Sequence, residues 1–142
     1  AAYNYTWAEG FTFGSGINNT FALDAFFIST KYHDFRAQIF PIIDGCYRRT
    51  FNREMNRACV YAGAIMHETG HTLDIHAPGC DAPESVWPWQ TNYWRFGPYK
   101  SVMNYRYIYN GINDYSDGSN GKNDYDDWAN IDLTRINPGI RW

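Results

Sequence analysis

The chain has 142 residues, a net charge of −3 and a hydrophobic fraction of 44%, enough for one domain with a real core. Aromatic residues reach 19% (twelve Tyr, nine Phe, six Trp), which excludes a disordered chain. The best apolar run, residues 58–66, is nine residues long, so no transmembrane segment is expected. Twelve Lys and Arg against fifteen Asp and Glu form no basic stripe, which excludes nucleic acid as the expected partner.

Ala1-Ala2-Tyr3 reads as the start of a processed mature chain rather than as a leader. Sequons at Asn4 (Asn4-Tyr5-Thr6) and Asn18 (Asn18-Asn19-Thr20) lie in a polar N-terminal stretch where glycans are tolerated. The three cysteines, Cys46, Cys59 and Cys80, are an odd count. One disulfide and one free thiol is the simplest expectation, with Cys46–Cys59 as the first choice of pair and the others left open. Few Lys, many Asn and Tyr, the sequons and a disulfide together point to a secreted or cell-surface protein.

Residues 21–30 and 36–43, rich in Phe and Ile, read as strands, with Asp44-Gly45 as the closing turn. From residue 52 to about 75 the period changes. Met55, Ala58/Cys59, Ala62, Ile65/Met66, Thr69 and Leu73 recur at steps of three and four, as on the buried stripe of a helix with Asn52 as N-cap. His76-Ala77-Pro78-Gly79 stops that helix. Residues 77–123 read as irregular, and a short last helix over 125–136 starts at an Asp124 cap and ends at Pro138-Gly139. The expected fold is α+β in a single domain over 1–142. A small twisted mixed sheet packs on a long active-site helix (residues 1–76), followed by a loop-rich half (77–142) with a short terminal helix.

The long helix carries His67-Glu68-Thr69-Gly70-His71. Histidines four apart leave one helix face a turn apart, so both can reach a single tetrahedral zinc. Glu68, offset by one residue, can sit beside a zinc-bound water, whose pKa the metal lowers, and take its proton. The competing explanation is a solvated face with two histidines and a glutamate. An independence estimate gives such a pentapeptide roughly a three-in-a-thousand chance in a chain of this composition, which favours metal. For a third ligand, Asp74 lies about 10 Å along a straight helix axis from His67, too far for one metal. His76, just past the helix end, can return in a sharp turn, and Cys80 and Asp81 follow in the same loop.

Downstream lies Ser101-Val102-Met103-Asn104-Tyr105. Alone, Met103 would be core filler. Together with the helix motif, the chain resembles the metzincin clan of zinc metallopeptidases and is similar to secreted microbial and archaeal metalloprotease-like proteins. That clan joins H-E-x-x-H-x-x-G-x-x-H to a Met-turn of the form S-x-M-x-Y. The resemblance covers about residues 37–105. It implies zinc held by His67, His71 and His76, Glu68 as general base, Met103 as a hydrophobic floor and Tyr105 assisting at the oxyanion. Two departures stand out. Asp74 occupies the place of the turning glycine, a place Asp tolerates better than most residues. His76 comes one residue early, position 77 being Ala. Either the turn is one residue tighter or the site is a degenerate relic.

Residues 114–127, DYSDGSNGKNDYDD, gather Asp114, Asp117, Asn120, Asp124, Asp126 and Asp127. Such oxygens could wrap a calcium ion, although the spacing is not that of an EF-hand, and a turn cluster is the equal alternative. Trp87, Trp89, Tyr93, Trp94 and Phe96 would border a cleft, form a mini-core of their own, or serve a self-association surface. The function expected from these features is secreted zinc metalloendopeptidase, its polypeptide substrate lying along an edge strand near residues 37–43. The alternatives are a catalytically inactive, self-assembling or adhesive domain of the same type, and a structural zinc closed by Cys80 or Asp81.

Overall fold

The computed structural model describes residues 10–12, 26–28, 30–39, 53–77 and 87–132. Two three-residue strands, β1 (Gly10–Thr12) and β2 (Phe26–Ile28), pair antiparallel with Phe11 opposite Phe27. Three helices follow among the described residues: α1 (Thr30–Ile39), α2 (Arg53–Thr72) and the single turn α3 (Thr91–Arg95). A 3-10 turn at Trp128–Asn130 is the last regular element among the described residues.

The expected mixed sheet packed on a helix is therefore wrong for the described residues, where helix far outweighs strand. Of the first expected strand, Phe26–Ile28 is extended, Thr30 opens α1 and the rest lies outside the described residues, and the start of the second lies inside α1. Ala37 and Gln38 are good helix formers, and the tertiary contacts have helical spacing. The Tyr61 hydroxyl donates both to the Thr30 carbonyl and to Asp34 Oδ1, at 3.0 Å each, and these two residues are four apart. Between them His33 is fully buried, its Nε2 3.2 Å from the Tyr109 hydroxyl. An edge strand at 37–39 for substrate is accordingly absent, and residues 40–43 lie outside the described set.

Helix α2 forms close to where the sequence places it, but with another face inward. Asn56, Val60, Gly63, Ala64, His67, Glu68 and Gly70 are buried, whereas Met55 and Ile65 of the expected stripe are 57% and 45% exposed. Gly63 shows why: a Cβ there would stand 2.0 Å from the Ile108 carbonyl oxygen, so the helix backbone lies directly on the 104–110 turn. The core joins Val60 and Ile75 to Tyr99, Val102, Met103, Ile108, Tyr109 and Tyr115. The loop-rich half thus packs on α2 with its own tyrosines.

A Schellman motif ends α2. The Ile75 N–H reaches the Gly70 carbonyl at 3.0 Å, the Asp74 N–H reaches that of His71 at 3.1 Å, and Asp74 is left-handed at φ 62°. Farther on, Asp132 N–H donates to the Leu73 carbonyl at 3.0 Å and ties the distal chain to the helix end. Over the described part of the expected helix, residues 125–132, the regular structure is the 3-10 turn. Asp124 does not cap it: Asp127 stands at the cap, and the Asp124 carboxylate is drawn to Ser116 and Asn120. Residues 133–142, Asn52, Cys46, Cys80, Asp81, Asn4 and Asn18 lie outside the described residues. Cys59 is in a disulfide whose partner also lies outside them.

Candidate functional site

The motif 67–71 occupies the last turns of α2. Nε2 of His67 and Nε2 of His71 stand 3.1 Å apart, their rings meeting edge to face with centroids 4.7 Å apart. Two nitrogens at ordinary zinc distance, with a tetrahedral angle between them, are about 3.3 Å apart, so the pair has the separation that a shared zinc would impose. His67 is buried, with Nδ1 3.0 Å from the Val102 carbonyl. A carbonyl there accepts a hydrogen bond from Nδ1–H and leaves Nε2 as the nitrogen that can ligate. Glu68 is also buried, at 8% exposure.

Residues 101–105 pass beneath this turn. Met103 is buried, and a Cβ built on Gly70 would stand 2.1 Å from its sulfur and 3.1 Å from Tyr115 Cε1. The Tyr105 ring centroid is 5.2 Å from that of His67. Hydrogen bonds hold the segment in place. Met103 N–H donates to Ser101 Oγ at 3.0 Å, and the Asn104 amide donates to the Phe96 and Tyr99 carbonyls at 2.9 Å each. Val102 N–H donates to the Asp114 carbonyl at 2.9 Å.

His76 sits just beyond the helix end. Its ring stacks on His71 at 5.4 Å and 22°, and its Nε2 is 3.3 Å from Asp74 Oδ1. The three rings are neighbours, but among the described residues no three His, Cys, Asp or Glu side chains gather as a metal site. The His76 side chain is 46% exposed.

The acidic loop separates into smaller arrangements. Asp124 accepts from Ser116 Oγ at 2.7 Å and from the Asn120 N–H and amide at 2.8 and 2.9 Å. Asp117 accepts from the Ser119 N–H at 3.0 Å, its pKa lowered first by the Ser119 side chain and then by that N–H, and Asp114 accepts from the Tyr115 N–H at 2.9 Å. Ser116, Asn120 and Asp124 are thus brought together, while Asp114 and Asp117 turn to separate backbone amides. Asp126 bonds the Ala129 N–H at 2.9 Å.

Asp127, read from sequence only as one more loop carboxylate, is a buried brace. It accepts from the Tyr99 hydroxyl at 2.5 Å and the Ser116 N–H at 2.8 Å. Burial raises its pKa, opposed by hydrogen bonds from Ser101, Tyr99 and Ser116. Tyr115 was missed as well. Burial and the nearby Asp127 push its hydroxyl up to about 12, and that hydroxyl donates to the Met66 carbonyl at 2.7 Å. Only the glycine at the fourth place of the histidine motif hinted at the close packing around Gly70.

Trp87 and Trp89 stack on one another at 5.1 Å and are exposed, as is Trp94. Arg106 lies 4.1 Å from the Tyr93 ring centroid and donates to the Tyr93 carbonyl at 2.7 Å. No helix among the described residues is long and apolar enough to cross a membrane. No family model, curated protein or solved structure matches the chain.

Proposed function

We propose that the chain is a zinc-dependent metalloendopeptidase, resembling the metzincin clan in its paired motifs and acting outside the cell on polypeptides. The observation that carries the proposal is the 3.1 Å approach of the His67 and His71 Nε2 atoms above Met103. Further support comes from the Val102 carbonyl at His67 Nδ1 and from Tyr105 beside the His67 ring. His67 and His71 would hold the metal, with His76 as third ligand. When bound, zinc supplies a Lewis acid that acidifies its water and polarises the scissile carbonyl.

The side chains do the remaining work. Glu68 accepts a proton from the attacking water and returns it to the leaving amine. The Tyr105 hydroxyl steadies the charge that develops on the carbonyl oxygen. Met103 fills the space under the histidines, so that their turn of helix cannot sag. The acidic loop would hold a calcium ion as a brace for the loop-rich half, apart from this chemistry.

The test is Glu68→Gln. Zinc content should be unchanged, while hydrolysis of an unfolded protein substrate falls by about 10²–10⁴-fold. Equal rates in wild type and variant would remove Glu68 from the chemistry.

A second function, that of an inactive self-associating domain, is favoured by the exposed Trp87, Trp89 and Trp94. Its mark would be a wild-type protein that binds zinc, cleaves no substrate and sediments as an oligomer that Trp89→Ser dissociates.

A further inference from the structure

We infer that Asp74 is the positioning residue for His76, setting both where that ring sits and which of its nitrogens faces the metal. This rests on the zinc reading proposed above.

Two independent features of Asp74 support the inference. Its backbone is left-handed, with φ 62°, and the bond from Ile75 N–H back to Gly70 closes the helix and turns the chain over itself. A non-glycine residue in this region is uncommon, though Asn and Asp enter it more readily than most. The turn returns His76 to the helix end, where its ring stacks on His71 at 5.4 Å. The carboxylate then does what glycine at this place could not: Oδ1 stands 3.3 Å from His76 Nε2.

An imidazole whose Nε2 hydrogen is held by a carboxylate presents Nδ1 as its ligating nitrogen. His67 has the opposite arrangement, with Nδ1 at the Val102 carbonyl and Nε2 toward His71. The resulting ligand set is mixed: Nε2 from the two helix histidines and Nδ1 from the one in the turn. Nδ1 lies nearer the main chain than Nε2. A histidine reached by a shorter turn, at the fifth residue after His71, therefore suits Nδ1 ligation. Asp74 and the early His76 are thus one adaptation.

The experiment compares wild type, Asp74→Gly, Asp74→Asn and His76→Ala. Zinc affinity is read by competition with a chromophoric chelator, and the His76 tautomer by ring-nitrogen NMR. Glycine accepts the left-handed backbone, so Asp74→Gly should keep the metal-free melting temperature while removing the carboxylate. Its zinc affinity should fall by about 10–100-fold, as for other partners of metal-bound histidines. Asp74→Asn, which retains an acceptor oxygen, should recover part of that loss. In wild type with zinc, the His76 proton should be on Nε2.

Zinc bound as tightly by Asp74→Gly as by wild type, or a His76 proton found on Nδ1, overturns the inference while leaving the zinc reading intact. Loss of affinity in His76→Ala alone, with both Asp74 variants unaffected, overturns it too. A wild type that binds no zinc removes the underlying function and this inference with it.

Discussion

Gly70 and Met103 occupy one space: the sulfur of Met103 stands where a side chain on Gly70 would begin, 2.1 Å from that Cβ position. The histidine motif and the 101–105 segment, thirty residues apart in sequence, are locked together at this point.

Gly70→Ala is expected to destabilise the protein by about 1–3 kcal/mol through overpacking, although alanine is the better helix former by about 1 kcal/mol. In a Met103→Ala background the same change should cost less, because the sulfur is gone and Tyr115 Cε1, at 3.1 Å, is the tight neighbour that stays. Urea unfolding of the four proteins gives the coupling directly. Additive effects would show that the two residues do not compete for space.

Gly63→Ala should be more damaging than Gly70→Ala. The obstacle at Gly63 is the Ile108 backbone carbonyl, 2.0 Å from the added Cβ, whereas Met103 is a flexible side chain. The comparison is made by denaturant midpoints at equal slope. A Gly63→Ala protein as stable as wild type would contradict the packing of α2 on the 104–110 turn.

Asp127 makes stability depend on pH in a stated direction. Burial raises its pKa above the ordinary 3.8, so its protonated form is the one the fold favours. Its contribution to stability is complete below the ordinary value and is lost as pH rises through the raised one. Asp127→Asn removes that titration. The unfolding free energy of the variant relative to wild type should therefore shift in the variant's favour as pH climbs from below 3.8. Thermal unfolding across that range checks it, and a constant difference would count against a raised value.

The meeting of the two helix histidines was legible in the sequence because the helix period fixes their spacing. His67 and His71, four apart, meet as the helix period dictates, and Asp74 takes the left-handed turn in glycine's place. The buried face of α2 was illegible for a physical reason. That face carries Asn56, Gly63, His67, Glu68 and Gly70, small or polar residues that a hydrophobic stripe does not include, while Met55 and Ile65 face outward. Hydrophobic periodicity therefore found the helix and missed its orientation. In α1 the error had another source. Phe and Ile suggested a strand, but contacts from Tyr61 to Thr30 and Asp34 draw that segment into a helix.

Zinc content tests the central claim most directly. Purified wild-type protein, dialysed free of loosely bound metal and assayed by elemental analysis, should hold one zinc per chain. His67→Ala, with its melting temperature confirmed, should hold none. A folded wild type without zinc, or a His67→Ala protein that retains it, would contradict the account.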